Sequence, residues 1–547
     1  MSENEVMVSV EELTQRKTIK NIPAGQSHEA ADQSSVMAIS ETRKKVTTFV
    51  NNNGIDVCLK LDEIEEKSRT EVVPDDQKPK PKPKIQKVPV ADLQGHGEIN
   101  FMNKYFQPKV VSIGPIHHGN PKLEQGEKYK TELTAEFARS SKKSIHHFFD
   151  IIKQNITSLK ALFDEELLKD YDDDTLSLML VVDGCFILQF IISYCKNELT
   201  ERFNIKVDHL LLALNDLFLL ENQIPFEVLT LLMNSAAADP DDGGRLMESM
   251  KILLVEFVIN NVIMAPTECK NEIQKNNRIM KLIGMQPEAP DQDNNNKQEY
   301  LTHLLELLQI VAVTNDDEQD KTTAAAHAII RSRVEQDLAT QVQEGHQMVK
   351  QVQEYPAKSQ SVRNIQELKA VGIGLKRSNK RWSLKEIKYT DLYIMGGLLQ
   401  LPRLVVDHFT GHKFMNLIAY EMCPDNLRTD YGVTSYVCFM RSLIDHPNDV
   451  KELRSKKILV SLLGCDEQVT KLFDEIVSST STELVPNPNM YKDVKDGIRR
   501  QYDRKCMMAS IADAYDAHFS SPWSAMAFVA AVFALAVKIW CTVIKAE

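Results

Sequence analysis

Paired cysteine spacing is the first thing this sequence lacks. Its nine cysteines (58, 185, 195, 269, 423, 438, 465, 506 and 541) form no CxxC pair, and their number is odd. That pattern predicts no disulfide framework. Residues 1–50 hold no apolar run of seven, so no secretory leader is read there, and the expectation is a reduced, cytosol-facing body. An excess of positive charge is also missing. With 65 basic against 77 acidic residues, net −12, the chain as a whole is excluded as a nucleic-acid binder, which needs a local surplus of Lys and Arg. Glycine (20) and proline (21) are too few among 547 residues for a fibrous protein, and 43% hydrophobic content is too high for global disorder. A chain of this length and apolar content predicts two globular lobes plus tails.

Aromatics are nearly absent from residues 1–84, where Phe49 stands alone. The segment closes with Lys78-Pro79-Lys80-Pro81-Lys82-Pro83-Lys84. Alternating Lys and Pro removes every second N–H and pushes the preceding residue to extended geometry, so neither helix nor sheet can form. This zone is expected to be a disordered arm ending in a stiff polyproline-II linker.

From about Ile85 apolar residues return with helical spacing. Lys122 to Asp150 reads as one helix. Asp172-Asp173-Asp174 then cap a nearly all-apolar segment, Leu176 to Cys195, long enough to cross a bilayer. Asp183 and Gln189 at its centre argue for a buried core helix instead. Further helices are read at Val207 to Leu220, Phe226 to Met233, Met247 to Met264, Tyr300 to Val313 and Thr322 to Val352. Another four follow at His412 to Cys423, Thr434 to Ile444, Asp449 to Val460 and Asp466 to Ile476. Polar loops lie near 236–244, 287–297 and 314–325. Within 372–401, Gly372 to Lys376, Leu384 to Tyr389 and Leu392 to Leu401 alternate like small antiparallel strands. The expected fold is mainly α: a helical body over 85–520 with a small antiparallel β insertion. No fixed-period repeat is present.

Residues 521–547 have their own character. After a helix over Met490 to Phe519, Trp523 to Ile544 carries one charge, Lys538, close to its exit. That length spans the roughly 30 Å of a bilayer core, and Lys538 can snorkel. Trp523 and Trp540 suit the two interfacial belts, and Phe528 and Phe533 the hydrocarbon. The segment reads as a single transmembrane anchor contacting lipid. Arg499, Arg500, Arg504 and Lys505 precede it and only Lys545 clearly follows, which places the body in the cytoplasm.

Six motifs stand in order along the body: Val111 to Gly119 (VSIGPIHHG), Met179 to Leu188 (MLVVDGCFIL), Asp216 to Phe226 (DLFLLENQIPF), Leu417 to Glu421 (LIAYE), Phe439 to Asp445 (FMRSLID) and Leu463 to Phe473 (LGCDEQVTKLF). With the terminal Ser521-Pro522-Trp523 they resemble the plant family called domain of unknown function 247, from roughly Ile85 to the C-terminus. The chain departs from the family pattern at Ile116, where an aromatic is usual, and at Gln125-Gly126-Glu127, which keeps a Met-Glu pair only in part. The resemblance implies family-motif positions Gly114, Pro115, His117, His118, Gly119, Asp183, Gly184, Glu221, Asn222, Gln223 and Pro225. It implies no established catalytic activity and no cofactor. Some grass members are pollen-side determinants of self-incompatibility, so it implies recognition or signalling through an unidentified protein partner.

The residues themselves allow other chemistry. His117-His118 would need a third ligand to hold zinc, with distant His146-His147 as the candidate; hydrogen-bonded structural histidines are the expected role. His117, His118, Asp183 and Cys185 would form a thiol-dependent hydrolase site if they converged. Glu221-Asn222-Gln223 is placed to bond a frayed helix end. Gly372-Ile373-Gly374 lacks a nucleotide loop's third glycine. Lys376-Arg377, Lys380-Arg381 and Trp382 form a basic-aromatic cluster that reads as a solvated turn or a phosphate contact. A scaffold that binds partners through the N-terminal arm is the remaining alternative.

Overall fold

Asp172 opens the central element. Its carboxylate accepts from Thr175 N at 2.8 Å and Thr175 Oγ1 at 2.9 Å, which starts a helix over Asp173–Cys195. This computed structural model describes residues 84–89, 98–237, 245–263, 279, 283, 301–314, 363–378, 383–392, 396–426, 429–478, 484, 486–518 and 522–544. The N-terminal arm with its Lys-Pro run, the helix read at Thr322 to Val352, and Lys380, Arg381 and Trp382 lie outside them. The described residues belong to the unit Lys82–Glu547.

In chain order the first half runs α1 (Glu98–Tyr105), a 3-10 turn (Pro121–Leu123), α2 (Glu124–Ser140), α3 (Ile145–Gln154), α4 (Ile156–Lys160), α5 (Asp173–Cys195), α6 (Val207–Asp216), α7 (Phe226–Ala236) and α8 (Arg245–Asn261). The single helix expected over Lys122 to Asp150 is broken at Lys142, whose φ of +53° leaves the helical region, and Ser144 caps a new start by accepting from His147 N. Helix α5 sits at the centre, with α2, α3, α7 and α8 packed around it. It is the one described helix long and apolar enough to cross a membrane, and most of it is buried in the body. Gly184 allows α7 to come close, since a Cβ there would collide with Leu232.

The second half comprises α9 (Leu304–Val313), α10 (Ile365–Ala370), β1 (Ile373–Arg377), β2 (Lys388–Asp391), β3 (Gly397–Leu401), β4 (Leu404–Val406), α11 (Thr410–Glu421), α12 (Gly432–Leu443), α13 (Pro447–Ser455), β5 (Leu459–Ser461), α14 (Asp466–Ser478), α15 (Lys492–His518) and α16 (Pro522–Ile544). Helix α9 packs on α8 and also on α11 and α12, so it joins the two halves. Asn416 stitches the seam: its Oδ1 accepts Leu220 N at 2.8 Å and its Nδ2 donates to Tyr105 O at 2.9 Å.

The expected antiparallel insertion is a mixed sheet of order β1-β3-β2. Only β2 and β3 are antiparallel; β1 and β3 run parallel, Ile373 opposite Gly397 through Arg377 opposite Leu401. The chain from β1 to β3 crosses over and carries β2 to the far edge, an arrangement that local alternation cannot encode. Gly396, at φ +103°, turns the chain against the Gly372 carbonyl, where any Cβ would collide. Leu384, read as strand, is a buried loop residue whose N–H donates to Ala312 O at 2.9 Å. A second parallel pair, β4 with β5, lies outside 372–401, and β5 ends the helix read at Asp449 to Val460.

His303 caps α9 through Nδ1, which accepts Glu306 N at 3.1 Å, and its ring packs edge-on to Tyr420. Burial lowers its pKa to about 3. The unfolded chain therefore binds a proton below pH 6.5 that the folded chain refuses, so stability present at neutral pH is lost as pH falls. Between pH 7.5 and 5 the loss is about 2 kcal/mol. Asp216, raised to about 6 by burial against its backbone donors, acts oppositely: its contribution is present in acid and lost as pH rises through 6. Comparing wild type with His303→Asn, which keeps a capping oxygen, isolates the first effect. The expected result in urea melts is a wild-type disadvantage growing by about 2 kcal/mol on acidification; a pH-independent difference would refute it.

Candidate functional site

The motif residues converge on one extended strip of backbone, residues 109–115. Asp216, at the end of α6, accepts from three successive amides of that strip. Lys109 N lies 2.9 Å from Oδ1, and Val110 N and Val111 N lie 2.7 and 3.0 Å from Oδ2. Asn222 continues the lattice: Oδ1 accepts Ile113 N at 2.7 Å, while Nδ2 donates to Val111 O at 3.1 Å and Asp216 O at 2.9 Å. Asp183 takes the next amide, Gly114 N, at 2.8 Å. Its other oxygen lies 2.6 Å from Lys130 Nζ, which also reaches Ser112 O at 3.0 Å and Glu127 Oε1 at 3.0 Å.

The Lys130–Asp183 pair is fully enclosed. Burial pulls the Lys130 ammonium down, but the Asp183 and Glu127 carboxylates outweigh it and hold the lysine above its usual range. Charge is thus retained in the core because both ions are hydrogen-bonded as well as paired.

Gly114 (φ +72°) occupies the left-handed region, and a Cβ on it would strike the Gln223 carbonyl oxygen. Gln223 donates to Leu217 O at 2.9 Å and Leu219 O at 2.8 Å, closing the end of the turn after α6, and its Oε1 accepts Leu305 N at 3.3 Å. Pro225 sits at the cap position of α7. Tyr171 Oη donates to Pro115 O at 3.0 Å. Beyond the strip, His117 turns inward, its Nε2 3.5 Å from Glu221 Oε2, and Glu221 Oε1 accepts Val88 N at 3.0 Å. His118 and Gly119 are exposed at the tip of the turn, with the His118 ring edge-on to Tyr171.

Of the four residues that a thiol hydrolase would need, none meets another. Asp183 is committed to Lys130 and Gly114, His117 to Glu221, and His118 to the surface. Cys185 lies two residues from Asp183, about 200° around the helix, and burial pushes its thiol up, away from the thiolate. His146 is exposed, and His147 Nε2 instead bonds Ser235 Oγ at 2.8 Å, tying α3 to α7. Among the described residues no group of three or more His, Cys, Asp or Glu is arranged to hold a metal ion.

Two members of this lattice carry roles that sequence reasoning did not assign. Asp216 opens a quoted motif without having been given a function, and Lys130 carried no signal beyond the need of buried Asp183 for a counter-ion. Glu421, in the LIAYE motif, is a third: it accepts Val433 N and Thr434 N, both at 2.9 Å, and so caps α12 from a neighbouring helix. Tyr431, in the capping position, supplies no side-chain bond of its own.

Fold and site together define a mainly helical protein whose signature residues brace its own backbone. Residues 85–537 match the plant family DUF247, described as plant protein of unknown function, and the chain belongs to that family. It is similar to UPF0481 protein At3g47200 of Arabidopsis thaliana, 27% identical over 449 residues that cover 79% of this chain and 81% of the relative. Putative UPF0481 protein At3g02645, from the same plant, is 22% identical over 464 residues, 79% of this chain and 85% of that one. No solved structure matches.

Proposed function

We propose that this protein is a membrane-tethered, non-catalytic recognition protein, its helical body held at a bilayer by α16. One observation carries the reading. Helix α16 is apolar and its described side chains are exposed on every side, Trp523 to 77%, Phe533 and Trp540 to 70%. Water is a costly surrounding for such a helix, whereas hydrocarbon of about 30 Å matches its 23 residues. The basic residues before it, Arg499, Arg500, Arg504 and Lys505, favour a cytoplasmic body. Support for recognition over catalysis comes from the site: the polar atoms of the motifs are spent on the backbone strip 109–115 and on one another. Recognition between cells, as in the pollen self-incompatibility of grass members, is the setting proposed for it.

The test is deletion of residues 523–547. The full chain should resist alkaline carbonate extraction from membranes and the truncated chain should appear in the soluble fraction. Val532→Arg, which puts a charge near mid-bilayer, should weaken retention in the same assay. A truncated chain that stays in the carbonate-resistant pellet would overturn the anchor.

A further inference from the structure

We infer that two copies of this chain pair in parallel along α16 and the stalk that precedes it. The inference rests on the membrane reading of α16. Met526, Val529, Ala530 and Phe533 line an open concavity of about 440 Å³ on that helix. Their spacing, i, i+3, i+4 and i+7, is that of the four residues that form the hole for a knob from a facing helix. Ala530 is small, and lipid-embedded helices associate through small residues that admit close van der Waals packing.

The second copy is the occupant because the anchor itself imposes the geometry. Copies inserted from one side of a bilayer lie parallel, with the concavity at the same depth in each, so the same patch can serve both partners. The stalk supplies a separate observation. From Lys505 to Ile511 the described side chains of α15 are exposed, Met508 to 59% and Ile511 to 55%. In sequence, Met508, Ile511, Tyr515 and His518 follow the three-four-three spacing of a coiled-coil seam. An unsupported helix of this length is marginal in water, and pairing would cover its apolar stripe. Both helices therefore present a pairing face, and both belong to the part of the chain that a membrane would align.

The test uses the full chain in phospholipid vesicles with Cys506→Ser and Cys541→Ser as background. Single substitutions Ala530→Cys and Leu535→Cys, the latter on the opposite side of α16, are oxidised with copper phenanthroline. Disulfide-linked dimer is expected at least five-fold more from position 530 than from 535. Adding Ala530→Phe should reduce cross-linking through Met508→Cys several-fold, with the protein still resistant to carbonate. Equal yields at 530 and 535, or a carbonate-resistant chain that forms no dimer, would mean that lipid fills the concavity and would overturn the pairing alone. Extraction by carbonate would instead remove the anchor reading, and the pairing with it.

Discussion

Lys130→Met should lower the unfolding free energy by about 3–5 kcal/mol, the range for breaking one side of a buried ion pair. The substitution strands the Asp183 carboxylate, which is enclosed and keeps only Gly114 N as a donor, and it also removes the donor to Ser112 O. Because most of the loss comes from an uncompensated charge, neutralising the partner should restore much of it. Lys130→Met with Asp183→Asn keeps an acceptor for Gly114 N and should recover roughly half, about 2 kcal/mol. Denaturant midpoints of the full chain in detergent check both statements. A single-variant loss below about 1 kcal/mol would place the pair in water and refute its burial.

Asp216→Ala is the second large effect. Three amides, those of Lys109, Val110 and Val111, lose one shared acceptor. Two of these bonds are buried, so no water replaces the carboxylate; at about 1–3 kcal/mol for each stranded donor, a total near 3–5 kcal/mol is expected. The damage should be local before it is global. Hydrogen exchange read by mass spectrometry should accelerate over residues 109–114 in Asp216→Ala and much less in Asp216→Asn, which keeps one acceptor oxygen. Unaltered exchange across that strip in Asp216→Ala would count against the bracing role.

What the sequence disclosed and what it withheld divide along contact range. Asp172 as a cap and α5 as a core helix were legible because the signals are local: three acidic residues before an apolar run, and a carboxylate at its centre too costly for lipid. The break at Lys142 was not, since the apolar period continues through it and only φ changes. Gln223 was placed correctly at the end of a helix, four to six residues from the carbonyls it serves. The reach of Asn222 back to Val111 and Ile113, more than a hundred residues away, has no local signature. The parallel pairing of β1 with β3 failed to show for the same reason: alternation identifies a strand but carries no information about direction.

The bond from Asn416 to the carbonyl of Tyr105 spans 311 residues and brings a timing constraint during synthesis. At roughly 5–20 residues per second, a ribosome needs about 15–60 s between making the first partner and the second. Throughout that interval the aromatic cluster of Phe101, Tyr105 and Phe106 waits for α11, the helix against which α1 packs. The nascent N-terminal half therefore emerges with apolar surface uncovered, and its protection until α11 arrives falls to chaperones rather than to its own fold.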